Sequence, residues 1–273
     1  MKRIAVISDI SALGRCSLSA ALPVISAIGA ECCPIPGTVL TNQTGYESYK
    51  ARNLADFMPE YIAEWKKISF SPDAILSGYL GDINQVRFVS RFIDTFGKNS
   101  LVAVDPAMAE SGSIYKGFTD EMCRQIKALC AKSDIITPNL SEFCILTGEK
   151  YEDYLNKDKS YLTDRISEKA KALFGERLGN IIVTGVKCED KILNIAMTKN
   201  DTLTFSSTQY PGDFSGTGDI FSAAVTAFLT TGCGLSESIS RTISFIEKSV
   251  RETLTHPHDT NDGTDFQLFL KEI

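Results

Sequence analysis

Short apolar runs alternate with helix-length stretches along almost the whole chain. Ile4 to Ile7, Ala74 to Leu76, Leu101 to Val104, Ile135-Ile136 and Ile181 to Val183 are brief and apolar throughout, without an in–out alternation. Runs of this kind read as strands buried on both faces of a parallel sheet. Helical patterns lie between them. One starts near Ser17, a candidate cap, carries Leu18, Leu22, Ile25 and Ile28 on one face and stops at Gly29, with Pro23 in its first turns. Others cover about Leu54–Ile68, Ile83–Phe96, Met122–Ala131, Glu142–Leu146 and Ile166–Phe174. A strand is expected from Glu31 to Ile35. Residues 190–209 alternate in polarity and predict an antiparallel hairpin turning at Asn200-Asp201. Helices close the chain over about Gly218–Thr230 and Ser236–Thr253. Alternation of this kind gives an α/β fold, a mostly parallel sheet wrapped by helices. No linker or composition break interrupts it, so one domain over 1–273 is expected.

Two stretches do not join this pattern. Gly37 to Tyr49 is polar and rich in threonine; it reads as a surface loop or as a flap over a site. Tyr151 to Lys159 is charged and reads as an exposed loop.

The formal net charge of −6 argues against a nucleic-acid or membrane-surface partner. No apolar run reaches the length of a membrane span. Met1-Lys2-Arg3 leads straight into a strand, with no signal peptide. The eight cysteines are scattered, no C-x-x-C occurs, and the only histidines are His256 and His258. A zinc site is not expected, and the cysteines read as small core residues in a reducing cytoplasm.

Chemistry concentrates where strands end. Ser8-Asp9, Tyr79, Asp105, Asn139 and Thr184 each follow an expected strand, and open parallel sheets bind ligands outside their carboxyl ends. The densest stretch is Gly212 to Asp219, with Gly216-Thr217-Gly218-Asp219 running into the apolar helix Ile220–Leu229. A glycine-rich turn at a helix start offers N–H groups and a positive dipole end to a phosphate. Asp219 adds a carboxylate there. That combination suits a loop that grips a phosphoryl group while removing a proton from an attacking hydroxyl, with Asp219 as base. It would equally serve an ordinary strand-to-helix turn with a first-turn acid.

Five segments, in order, resemble the ribokinase-like small-molecule kinases, and among them the pyridoxal/pyridoxamine kinase branch. Gly216-Thr217-Gly218-Asp219 is similar to the G-x-G-D signature. Thr137-Pro138-Asn139-Leu140-Ser141-Glu142 resembles T-P-N-x-x-E, and Asp105-Pro106 the D-P-V-M-G segment. Thr41-Asn42-Gln43-Thr44-Gly45-Tyr46 resembles the S-N-H-T-G-Y flap, and Ser77-Gly78-Tyr79 the T-G-Y segment. The resemblance implies a three-layer ribokinase-like fold, ATP with Mg²⁺, and phosphorylation of a hydroxymethyl group on a B6 vitamer. Carried over, Asp219 is the base and the backbone of Gly216, Thr217, Gly218 and Asp219 the anion hole. Asn139 and Glu142 orient Mg²⁺ and its waters, Asp105, Asn139 and Thr184 lie along ATP, and Ser8, Asp9, Thr44 and Tyr79 contact the vitamer. A cytoplasmic homodimer is the expected assembly.

No Walker loop is present, so a backbone nest must supply the anion grip. Two positions depart from the family pattern. Ala109-Glu110 stands where relatives carry G-D, and Asp9 where they often carry another polar residue. A carboxylate at Asp9 would favour a cationic amine, hence pyridoxamine or pyridoxine over pyridoxal. The rivals are a hydroxymethylpyrimidine (phosphate) kinase of the same fold, which often has Cys for the final Asp, and a non-catalytic vitamer sensor. A nicotinamide dehydrogenase would need its glycines after the first strand.

Overall fold

The computed structural model describes residues 1–273. In chain order the strands and helices are β1 (Arg3–Ser11), α1 (Ser17–Ile28), β2 (Glu31–Leu40), β3 (Ala51–Asn53), α2 (Pro59–Lys67), β4 (Ala74–Ser77), α3 (Ile83–Phe96), β5 (Leu101–Val104), β6 (Ala109–Glu110), β7 (Ser113–Ile114), α4 (Asp120–Cys130), β8 (Ile135–Ile136), α5 (Leu140–Thr147), α6 (Lys159–Ala170), β9 (Asn180–Cys188), β10 (Lys191–Thr198), β11 (Thr202–Thr208), α7 (Thr217–Thr231) and α8 (Leu235–Thr253). The chain forms two compact units. The first joins Met1–Val102 to Tyr210–Ile273, and the second is Ala103–Gln209.

In the first unit the strand order is β4-β1-β2-β3. β1 runs parallel to both β2 and β4, and β3 adds an antiparallel edge. Ile4, Ala5 and Ile7 of β1, Ile35 of β2 and Ile75 of β4 are wholly buried, as continuous apolar runs require. β1 does not stop at Ile7 as expected. It continues through Ser8 and Asp9 to Ser11, and the β1–β2 register slips between Ser8 and Ile10, so β2 carries an extra residue opposite Asp9. Such bulges bend a strand and re-aim its side chains. Gln85 of α3, buried, pins the place: its Nε2 donates to Gly37 O (2.8 Å), Thr38 Oγ1 (3.0 Å) and Asn53 Oδ1 (3.0 Å), and its Oε1 accepts from Gly81 N–H (3.0 Å).

α7 is the central helix of this unit. Every residue from Ile220 to Phe228 is buried, and the helix packs against α1, α8 and β4. A helix apolar all round must lie inside. Its Ser222 and Thr226 hydroxyls return to carbonyls one turn earlier, at 3.0 and 2.7 Å, which gives each donor an acceptor within the helix.

In the second unit the order is β11-β10-β9-β8-β5, with β5, β8 and β9 parallel and β9-β10-β11 an antiparallel meander. α5 packs on β6 and β9, and α6 on β9 and β10. The fold class is the expected α/β type, a mostly parallel sheet flanked by helices.

Several local expectations fail for identifiable reasons. Ser17 does not cap α1: Cys16 occupies the cap position without a side-chain hydrogen bond, and Ser17 is the first helical residue, at φ 48°. Pro23 lies inside α1 rather than in its first turn. Residues 37–40 belong to β2, so the loop begins only at Thr41. α2 starts at Pro59, not Leu54, because proline is well suited to a first turn. α6 runs earlier than expected, ending at Ala170. The stretch 151–159 is not all exposed; Tyr154 is buried with its ring edge-on to Phe143, centroids 6.4 Å apart.

Candidate active site

The first unit holds the proposed base and ring contacts. Gly216 takes a left-handed conformation at φ 82° and precedes α7 without any side-chain cap. The first-turn N–H groups of Thr217 and Gly218 have no intrahelical acceptor by construction, and the dipole adds positive potential there. Asp219 is the third residue of this helix and half-buried. Gly216 has to be glycine for a second reason: a Cβ on it would collide with the Arg15 carbonyl oxygen and lie 2.9 Å from Cys16 Cα.

Opposite this helix start, the polar ends of β1 and β4 converge. A Cβ placed on Gly78 would sit 2.8 Å from Ser8 Oγ and 3.9 Å from Asp219 Oδ1. Ser8 and the Asp219 carboxylate therefore both lie close to the Gly78 backbone, and the close approach of Ser8 is possible because residue 78 has no side chain. Asp9 is buried, with Ser8 Oγ and Ser11 Oγ at 3.4 and 3.5 Å from its carboxylate oxygens. Burial pushes its carboxyl above the ordinary range, against the smaller opposing effect of hydroxyls from Ser17, Ser8 and Ser11. Burial also pushes the Tyr79 phenol up to about 12, with the Asp9 charge next in size.

Sequence reasoning missed Cys16. Burial, then the charges of Asp219 and Asp9, pushes its thiol up to about 12, so it feels both carboxylates and stays protonated. Nothing in its immediate sequence signals this, because the neighbours are set by the crossing of α1 and the glycine loop. Thr44 lies on the flap. It is exposed, whereas its neighbour Gln43 is the buried member of the flap and reaches Ser215 Oγ (3.3 Å).

The second unit holds the residues expected to serve nucleotide and metal. Asn139 and Glu142 form a reciprocal capping box on α5: Asn139 Oδ1 accepts from Glu142 N–H (3.0 Å), and Glu142 Oε2 accepts from Asn139 N–H (2.8 Å). Glu142 Oε1 accepts from Met108 N–H (3.1 Å), and Asn139 Nδ2 donates to Ala109 O (2.7 Å). Asp105 directly follows β5. Burial, then the Asp105 charge, holds Glu142 well above the usual carboxylate range. Thr184 bridges Asn139 in parallel fashion and donates its N–H to Pro138 O (2.9 Å), where the β9–β10 register slips.

Ala109-Glu110, where the family pattern changes, opens a tight hairpin. β6 and β7 pair across Ser111 (φ 50°) and Gly112 (φ 79°), the geometry of a primed turn. Ser141 Oγ accepts from Gly112 N–H at 2.8 Å and anchors it.

These groups bear on metal binding. Two close carboxylates with one driven towards neutrality form a place that a divalent cation would relieve. The Glu142 oxygens and the Asn139 amide are already engaged by the backbone, so the set fits a hydrated Mg²⁺ held through its waters.

Parallel strands with polar ends and a glycine-started helix carrying a carboxylate in its first turn agree with the resemblance to the ribokinase-like small-molecule kinases. Residues 17–263 match the phosphomethylpyrimidine kinase family, and the chain belongs to it. It is an ATP-dependent phosphotransferase acting on a hydroxyl group. A Bacteroides thetaiotaomicron protein named as a phosphomethylpyrimidine kinase is 33% identical, with a TM-score of 0.93 over 98% of this chain and 92% of its own. A second crystal form of that protein, with pyridoxal, gives 0.91 at 32% identity, over 98% of this chain and 94% of its own. A pyridoxal kinase of Leifsonia xyli subsp. xyli is 27% identical over 92% of this chain and 89% of its own length. A hydroxymethylpyrimidine/phosphomethylpyrimidine kinase of Bacillus subtilis is 27% identical over 67% of this chain and 65% of its own.

Proposed function

We propose that the whole chain works as one kinase domain that transfers the γ-phosphoryl of ATP to the 5′-hydroxymethyl group of a B6 vitamer. The observation that carries this reading is the convergence of Ser8 Oγ and the Asp219 carboxylate beside Gly78, at the start of α7. A primary alcohol placed there meets a carboxylate that can take its proton and a dipole end that stabilises the charge gathering on the transferred group. Positioning and charge stabilisation are what phosphoryl transfer requires. Tyr79 offers an aromatic wall, while Ser8 and Asp9 offer polar contacts to ring substituents. Asp105, Asn139 and Thr184 serve ATP, and Glu142 with Asn139 serves Mg²⁺ through its waters. When bound, Mg²⁺ supplies charge neutralisation on the phosphates.

The expected preference for a cationic amine rests on an ionised carboxylate at Asp9. Burial disfavours that charged form, so the vitamers are not ranked. A hydroxymethylpyrimidine is the second reading, favoured by the family match and by the Bacillus subtilis relative. Eight free cysteines suit a reducing compartment, and a cytoplasmic homodimer belongs to the same reading.

The test is kcat/KM with Mg-ATP for pyridoxal, pyridoxine, pyridoxamine and hydroxymethylpyrimidine. A vitamer should lead. If hydroxymethylpyrimidine leads, the second reading replaces the first. If none turns over, a vitamer-binding role without catalysis takes its place.

A further inference from the structure

Asp259–Asp265 forms a short strap near the end of the chain, built on one 3-10 turn, Thr260–Asp262. Three segments of the same unit fasten to it. The first is the glycine loop: Ser215 N–H donates to Thr260 O at 3.1 Å. Gly263, at φ 79°, lies so near that a Cβ on it would be 2.9 Å from Ser215 O and 3.0 Å from Arg15 O. The second is the entrance to α1. Arg15 N–H donates to Asp262 O (3.0 Å), its Nη2 to Gly263 O (3.3 Å), and its Nη1 pairs with Asp265 at 3.0 Å.

The third is the flap. Gln43 Nε2 donates to Asn261 Oδ1 (2.8 Å), Asn261 O (3.3 Å) and Ser215 Oγ (3.3 Å), while its Oε1 accepts from Gly45 N–H (2.7 Å). The Tyr46 hydroxyl donates to Asp262 Oδ1. Gln43 is 8% exposed in a loop whose other residues are mostly open to solvent.

We propose that Gln43 and Asn261 are positioning residues. They lock the flap to the strap, and the strap holds Ser215, four residues before Asp219. The flap cannot lift without surrendering these bonds, and the loop cannot shift without dragging the strap. Displacement of about 1 Å in such a site can cost about 10²-fold in rate. The inference rests on the kinase reading above, and neither residue is assigned contact with the reacting atoms.

Gln43→Glu is the sharpest probe. It keeps the acceptor for Gly45 N–H and replaces the donor with an oxygen facing Asn261 Oδ1. We expect kcat/KM for the preferred vitamer to fall about tenfold or more, with KM for ATP within about twofold of wild type. Asn261→Leu should match it, and Asn261→Asp, which keeps the acceptor, should restore most of the activity. Vitamer kcat/KM within about twofold of wild type in Gln43→Glu overturns the proposal, as does an equal loss in Asn261→Asp and Asn261→Leu. Hydrogen exchange at Gly45 and Tyr46 supplies a readout that needs no turnover. It should accelerate about tenfold in Gln43→Glu, and unchanged exchange also overturns the proposal. If wild type phosphorylates neither a vitamer nor hydroxymethylpyrimidine, the kinase reading fails and the exchange measurement alone decides this one.

Discussion

Two carboxylates sit three positions into two helices and are held differently. Asp219, in the first unit, is half-buried at a helix start whose cap is a glycine with no side chain to offer. Glu142, in the second unit, is 2% exposed, and its oxygens accept from the backbone of Asn139 and Met108. The same local geometry, an acid in a first turn, holds the proposed base half-buried in one case and a carboxylate clamped by backbone N–H groups in the other. What differs is the cap. Asn139 pairs with Glu142 reciprocally and ties it down, whereas Gly216 leaves the turn open to a ligand.

The comparison breaks most visibly at Asp219. Asp219→Asn should lower kcat by ~10²–10⁴ while the fold survives, since asparagine also suits a helix start. Steady-state kinetics with matched circular dichroism checks this, and turnover within about threefold of wild type would sink the role of base.

Gly216→Ala tests the openness of the same turn. The new Cβ meets the Arg15 carbonyl oxygen in a left-handed conformation, so a stability loss of about 2–4 kcal/mol is expected, with loss of activity. Gly218→Ala, whose Cβ meets nothing within 4 Å, is the control and should leave stability within about 1 kcal/mol. Urea unfolding distinguishes them; equal losses would mean that close approach is not what selects glycine at 216.

Glu142→Gln probes the clamp. It should raise the Mg²⁺ concentration for half-maximal rate about tenfold, with the vitamer KM within about twofold. An unchanged Mg²⁺ dependence would make Glu142 purely a capping acid.

The smallest effect concerns pH. The Pro257 carbonyl, then Asp265, raise the His256 imidazole above its ordinary value, with Asp265 2.7 Å away. A raised folded pKa stabilises the protein fully below the unfolded pKa, and this support is lost as pH rises through the folded one. The Tm difference between wild type and His256→Gln should therefore be largest below the ordinary imidazole value of about 6.5 and shrink as pH rises through the raised folded one. A difference that is flat or grows with pH would show that this pairing contributes nothing.

The sequence by itself determined the alternation of strands and helices, because buried parallel strands must be apolar throughout and their helices must carry one apolar face. It also located Asp219, Asn139, Glu142 and Thr184, whose spacing to a glycine or a helix start is local. It could not show the register slips beside Asp9 and Thr184, since a bulge is a mismatch between two strands and leaves no mark on either. Nor could it show that Asp9 is buried, that Cys16 feels two carboxylates, or that Gln43 rather than Thr44 turns inward. Those outcomes depend on partners at positions such as 85, 219 and 261. Only the tertiary structure brings such distant residues within hydrogen-bond reach, and burial then decides which of them stay charged.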